Sequence, residues 1–183
     1  MLLAAAACLV FGLGMPTPAA YSLVAVLGAP ALVQFGVDIL AAHLFVFFLA
    51  NLSAVTPPVA LASLVAAKLA DAGYMRTAIL SARLALPAFI MPFYFVFYPQ
   101  LLLQGSSLVG TLTVIAWMMA CLVAFNAGFC GALFRKRVSG LQRALLIVAA
   151  IGLALPPPLA KLAGACLLTA IILQDLASSQ TQS

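Results

Sequence analysis

The sequence predicts an all-α polytopic membrane protein, and three observations carry that fold class. Of its 183 residues 67% are hydrophobic and only 6% are charged, with no Glu at all. Mean hydropathy is +1.27, more apolar surface than a soluble core of this size can use. The apolar residues fall into long runs, and two of the runs are interrupted by Gly and Pro near their middle. Paired interruptions of this kind point to a binding site in a secondary transporter. The net charge of +5 does not imply nucleic acid, because the basic residues sit at membrane edges and carry topology.

The first interrupted element runs from Leu2 to Val33. Gly12-Leu13-Gly14-Met15-Pro16-Thr17-Pro18 separates apolar Leu2–Leu13 from apolar Ala19–Val33. The arms reach about 18 and 22 Å, short of the ~30 Å hydrocarbon core. Two short arms joined by a Gly/Pro turn form a re-entrant hairpin with its tip near mid-membrane. A cleaved signal peptide fits poorly, since no Lys or Arg precedes Met1–Leu13 and Pro16 and Pro18 crowd the cleavage site. The chain starts inside an apolar arm, which reads as a truncated or split protein. Gln34–Asp38 is a polar joint, and Asp38 is placed to cap the next helix.

The second interrupted element, Ile39–Leu69, is a broken helix. Its break is Ser53-Ala54-Val55-Thr56-Pro57-Pro58. Pro57 and Pro58 have no backbone N–H, and Pro57 disfavours helical geometry at Thr56. Carbonyls of the preceding turn lose their helical partners, at a cost of several kcal/mol per group in hydrocarbon. Ser53 and Thr56 bring hydroxyls to the same level. The bland alternative is a proline kink satisfied by these hydroxyls. The sharper one is a site for a desolvated small cation or a carboxylate. Ala62, Ala66 and Ala70 form a small-residue stripe suited to close helix approach, or are simple filler.

Ala70–Arg76 is a loop, and Thr77–Tyr98 is a full span with Pro87, Pro92 and Arg83. Its Phe93–Tyr98 end is expected to form an aromatic belt at the membrane edge. Gln104–Ser107 is a short polar loop. Leu108–Phe134 is the next span, stopped by Arg135-Lys136-Arg137. Leu141–Leu155 and Leu159–Leu173 flank Pro156-Pro157-Pro158, and the polar tail from Gln174 is expected to fray. Residues 1–103 thus form a transport-type region (hairpin 2–33, broken helix 39–69, helix 77–98). Residues 104–183 form C-terminal helices without a soluble domain. Basic residues put Ala70–Arg76 and Arg135–Arg143 in the cytoplasm and Gln34–Asp38 and Gln104–Ser107 outside, with Lys161 the exception. The hairpin then enters and leaves from the outside.

The one His and three acidic residues leave no acid/base pair or metal cluster in the membrane, which argues against an enzyme. Cys8, Cys121, Cys130 and Cys166 lie in apolar runs without a CxxC and read as inert thiols. His43 reads as a hydrogen-bonded interfacial group, with a proton relay as its alternative.

One ordered set of motifs carries a family resemblance. It comprises Gly14-Met15-Pro16-Thr17-Pro18-Ala19-Ala20-Tyr21, Ala41-Ala42-His43-Leu44-Phe45-Val46-Phe47 and Ser53-Ala54-Val55-Thr56-Pro57-Pro58-Val59-Ala60-Leu61-Ala62. Phe89-Ile90-Met91-Pro92-Phe93 and Tyr98-Pro99 complete it. Together they resemble the large membrane subunit of tripartite ATP-independent periplasmic (TRAP) transporters, closest to the TAXI-associated fused-permease branch. The resemblance covers about Leu13–Leu103.

It implies the C-terminal half of an elevator-type inverted-repeat transporter in a bacterial inner membrane, multi-pass and in contact with lipid. It implies sodium as the coupling ion, no other cofactor, and an organic-acid substrate delivered by a periplasmic binding protein. The N-terminal half of the permease, with its own hairpin, is missing and is an expected partner. Lys68, where a small residue is expected, departs from the pattern. For sodium the candidates are backbone and hydroxyl oxygens of Gly14, Met15, Thr17, Ser53 and Thr56. For the substrate anion they are Thr17, Ala19, Ala20, Asn51 and Thr56. The rival from another class is a non-transporting remnant or assembly partner in the membrane.

Overall fold

The computed structural model describes residues 1–104, 107–133, 136–137, 139–154 and 158–180. It is helical apart from turns and a two-residue antiparallel pairing of Ala132–Leu133 with Lys136–Arg137. The helices divide between two compact units, Met1–Gly105 and Ser106–Ser183. Helices Thr17–Gln34, Tyr74–Phe97 and Leu108–Cys130 are long and apolar enough to cross a bilayer. The chain is an all-α polytopic membrane protein.

In the first unit the hairpin is α1 (Leu2–Gly12) and α2 (Thr17–Gln34). Its outgoing arm is longer than expected. Pro18 is absorbed into the first turn of α2, where a missing N–H costs nothing, so the helix begins at Thr17. Its 18 residues give about 27 Å, nearly a full span, while α1 stays short.

The broken helix is α3 (Ile39–Ser53) and α4 (Leu61–Leu69). Asp38 caps α3 through its carboxylate, which accepts from the amides of Leu40 at 2.9 Å and Ala41 at 3.2 Å. The i, i+3, i+4 series Ala42, Phe45, Val46, Leu49 and Ser53 is buried, making α3 the centre of this unit. It packs on α1, α2 and α6, with Cys8, Val24, Ala29 and Leu32 completing the core. The α4 face that carries Ser63 and Ala67 is buried, whereas Ala62, Ala66 and Ala70 are exposed. That stripe therefore packs against nothing in the unit. Lys68 is exposed in the last turn of α4, where a cation suits the helix dipole.

The next span is α5 (Tyr74–Ala85), a 3₁₀ turn over Leu86–Ile90, and α6 (Met91–Phe97). Its aromatic end is packed inward. Phe93 meets Phe45 edge-on at 5.3 Å and Phe95 meets Phe48 at 5.2 Å, while Tyr94 and Tyr98 are buried. Only Phe97 of this run is exposed, so the expected belt is mainly a helix contact.

The second unit holds α7 (Leu108–Cys130), α8 (Gly140–Ala154) and α9 (Pro158–Gln180). The Arg143 guanidinium donates to the Gly128 carbonyl at 3.0 Å and the Phe129 carbonyl at 3.1 Å, closing the C-terminus of α7. Helices α8 and α9 approach closely at two glycines: a Cβ on Gly164 would lie 2.6 Å from the Ala149 carbonyl oxygen, and one on Gly152 would lie 2.9 Å from that of Ala160. Rather than fraying at Gln174, α9 continues to Gln180, a stretch without Gly or Pro to end it. Of the proline triplet, Pro156 and Pro157 lie outside the described residues.

Candidate functional site

The site is built where the hairpin tip meets the broken helix. The tip is the short connection from Leu13 to Pro16, with Gly14 at φ +78°, a conformation that favours glycine. The break spans Ala54–Ala60, and Ala60 holds φ 33° while fully buried. Tip and break touch. The Ser53 hydroxyl lies 2.9 Å from the Gly12 carbonyl oxygen and 2.6 Å from that of Ala50, donating its single proton between them. A Cβ at Gly12 would fall 2.5 Å from Ser53 Oγ, so only glycine lets α1 end there. A Cβ at Gly14 would lie 3.4 Å from Val59 Cγ1, so the tip runs close to the break here as well.

Most of the break's backbone is internally paired. The amides of Ala54, Val55 and Thr56 donate to the carbonyls of Asn51, Leu52 and Ser53 at 3.1, 3.2 and 3.1 Å. Ala60 donates to the Thr56 carbonyl at 3.1 Å, and Ala62 reaches back to that of Ala54 at 3.0 Å. The Thr56 hydroxyl donates to the Leu52 carbonyl at 2.7 Å. Pro57 and Pro58 contribute no donor, and the carbonyls that follow are met from elsewhere. The Tyr74 hydroxyl, at the start of α5, lies 2.6 Å from the Pro58 carbonyl oxygen and 2.7 Å from that of Val59. Among the described residues the carbonyls of Val55 and Pro57 have no hydrogen-bond partner.

Donating hydroxyls keep lone pairs on their oxygens. Ser53 and Thr56 spend their protons on carbonyls, so their oxygens can face a cation as acceptors. The backbone dipoles add to this. The Ser53–Gly12 bond joins the C-terminal ends of α1 and α3, where partial negative charge collects. Gly14 and Val59 approach each other just before α2 and α4 begin, and amide ends suit an anion.

The remaining predicted residues are placed as follows. Thr17 is half-buried at the first position of α2, and among the described residues its hydroxyl has no partner. Met15 is half-buried in the tip, with its amide on the Gly12 carbonyl at 3.4 Å. Ala19 is exposed and its amide has no partner among the described residues, whereas Ala20 is fully buried and its amide already donates to the Pro16 carbonyl at 3.0 Å. Asn51 is half-buried one turn before the break, and its side-chain amide has no partner among the described residues.

Away from the break, His43 Nδ1 lies 3.0 Å from the Tyr21 hydroxyl and ties α2 to α3. At the far end of α3 the Gln104 amide donates to the Asp38 carboxylate at 3.0 Å. That bond first, then the Ala41 amide, holds the Asp38 carboxyl below its usual range.

Two residues of the site escaped sequence reasoning. Gly12 gave no sign beyond its place near the tip, because its partner lies 41 residues away. Tyr74 sat in a stretch taken for a loop, 15 and 16 residues from the carbonyls that it meets.

A family model described as the tripartite ATP-independent periplasmic transporter, DctM component, matches residues 1–110, more than half of the chain. No curated protein matches the chain, and no solved structure does.

Proposed function

Because the chain belongs to the DctM-component family of tripartite ATP-independent periplasmic transporters, a family of membrane transport components, we propose that it couples sodium entry to uptake of an organic acid. A periplasmic binding protein delivers that substrate, and the chain sits in the bacterial inner membrane. Sodium binds on the carbonyl side of the tip–break contact, among the oxygens of Gly14, Met15, Thr17, Ser53 and Thr56. The substrate carboxylate takes the amide side, at the open N–H groups of Thr17 and Ala19, with Asn51 and Thr56 within the same region. The polar backbone left open here is completed by a matching half of the transporter, as an inverted-repeat site requires.

One observation carries this reading: the Ser53 hydroxyl ties the break to the hairpin tip while its proton points at carbonyls. That geometry joins two helix C-termini and leaves hydroxyl oxygens as acceptors, which is what a desolvated cation needs. The test is Thr56→Val in the transporter assembled with its partners in proteoliposomes, with uptake titrated against sodium. Removing one ligand oxygen raises the sodium concentration for half-maximal uptake about tenfold, the effect of roughly 1.4 kcal/mol. An unchanged sodium dependence overturns the site.

A further inference from the structure

We propose that Tyr74 is a positioning residue for the cation site: its hydroxyl fixes which backbone oxygens of the break are free to bind. This rests on the sodium reading above and names a residue outside the interrupted elements.

Across Ala54–Ala60 the carbonyls of Ala54 and Thr56 are taken by backbone amides at 3.0 and 3.1 Å. The adjacent carbonyls of Pro58 and Val59 both converge on the Tyr74 hydroxyl, at 2.6 and 2.7 Å. The Ala62 amide, which an uninterrupted helix would direct at the Pro58 carbonyl, is spent on that of Ala54 at 3.0 Å. Two neighbouring carbonyls aimed at one point repel each other unless a proton lies between them. Tyr74 supplies that proton from the first turn of α5, beyond α4. Ala60, directly after this pair, sits at φ 33°, a backbone region that L side chains rarely adopt. The turn is therefore held by outside contacts rather than by its own preference. With Pro58 and Val59 withheld, the carbonyls of Val55 and Pro57, unpaired among the described residues, are the backbone oxygens that the break can add to the Thr56 hydroxyl. Removing the hydroxyl frees the Pro58 and Val59 carbonyls to turn, and the ligand set loses its fixed geometry.

The experiment compares Tyr74→Phe with Thr56→Val in the assembled transporter. Tyr74→Phe keeps the ring and removes only the donor. The expected result is a severalfold rise in the sodium concentration for half-maximal uptake, with the maximal rate and the substrate KM near those of the parent. If Thr56→Val shifts the sodium dependence and Tyr74→Phe does not, the positioning role is wrong and the sodium reading stands. If neither shifts it, the sodium reading falls and this proposal falls with it. Should Tyr74→Phe fail to assemble, p-aminophenylalanine at position 74 keeps the ring and an uncharged donor, whereas p-methylphenylalanine fills the same space without one. The half-maximal sodium concentration is expected near the parent's for the first and raised for the second. Equal values for the two overturn the proposal, because a purely structural ring is blind to the donor.

Discussion

Two proline pairs in the first unit meet opposite fates. Pro57 and Pro58 open the helix between α3 and α4 into the non-helical stretch Ala54–Ala60. Pro87 and Pro92 leave α5 and α6 as one continuous span, Tyr74–Phe97, with a 3₁₀ turn between them. Spacing is the first reason. Pro87 and Pro92 each fall in the opening turn of a new helical segment, where an N–H is not required. The chain around them stays bonded, with Leu86 donating to the Arg83 carbonyl and Met91 to that of Ala88. Adjacent prolines remove two successive donors, and no single 3₁₀ turn replaces both.

Hydroxyls are the second reason. Ser53, Thr56 and Tyr74 stabilise the open conformation by donating to the carbonyls of Ala50, Leu52, Pro58 and Val59, which an uninterrupted helix would have satisfied. Around Pro87 and Pro92, Phe45, Phe93 and Tyr94 pack instead. A proline in a membrane helix becomes a site only when its neighbours can hold the opened backbone.

The sharpest way to break this contrast is at the seat of the open site. Gly12→Leu puts a branched side chain where a Cβ alone would lie 2.5 Å from Ser53 Oγ. Overpacking of this kind costs about 1–3 kcal/mol, and here it also separates tip from break. Uptake should be lost at any sodium concentration, with lowered thermal stability in detergent. Parental uptake would show that transport does not need the tip–break contact.

A smaller effect is expected where α3 begins. Helix α5 starts at Gly73 without a side-chain cap, whereas α3 starts on a carboxylate. The Asp38 carboxyl is held below its ordinary value, so its stabilising effect is fully present above the ordinary carboxylate range. It is lost as the pH falls through the lowered pKa of the folded state. Melting temperature followed into acid should drop more for the parent than for Asp38→Asn, whose amide oxygen still caps but does not titrate. Parallel curves would assign the acid transition to other groups. The smallest effect is predicted for Pro87→Ala. The helix there is already continuous, so the sodium dependence of uptake should equal that of the parent. A shift would mean that the closed proline pair also shapes the site.

Much of this was written in local sequence. The Gly/Pro tip, the Thr56-Pro57-Pro58 break and the Asp38 cap depend on residues within a turn of one another, and each appears where its residues predict. Helix α2 begins two residues before the sequence places it, because a proline inside a first turn costs nothing and does not act as a stop. The inward packing of Phe93 and Phe95 is not legible in the sequence, because an aromatic run looks the same whether it faces lipid or another helix. The exposure of Ala62, Ala66 and Ala70 was hidden for the same reason, since small residues permit close packing without naming a partner.

The sequence by itself determined the class of molecule, the places where the helices stop, and the chemistry available at the stops. Backbone donors are lost at proline and φ is freed at glycine whatever surrounds them. Only the tertiary structure decided which carbonyls stay open. That depends on groups brought together from afar: Ser53 on Gly12, Val59 against Gly14, and Tyr74 over Pro58 and Val59. A carbonyl's partner is fixed by distance in space, and in hydrocarbon, where water cannot substitute, that partner sets what the opened backbone can bind.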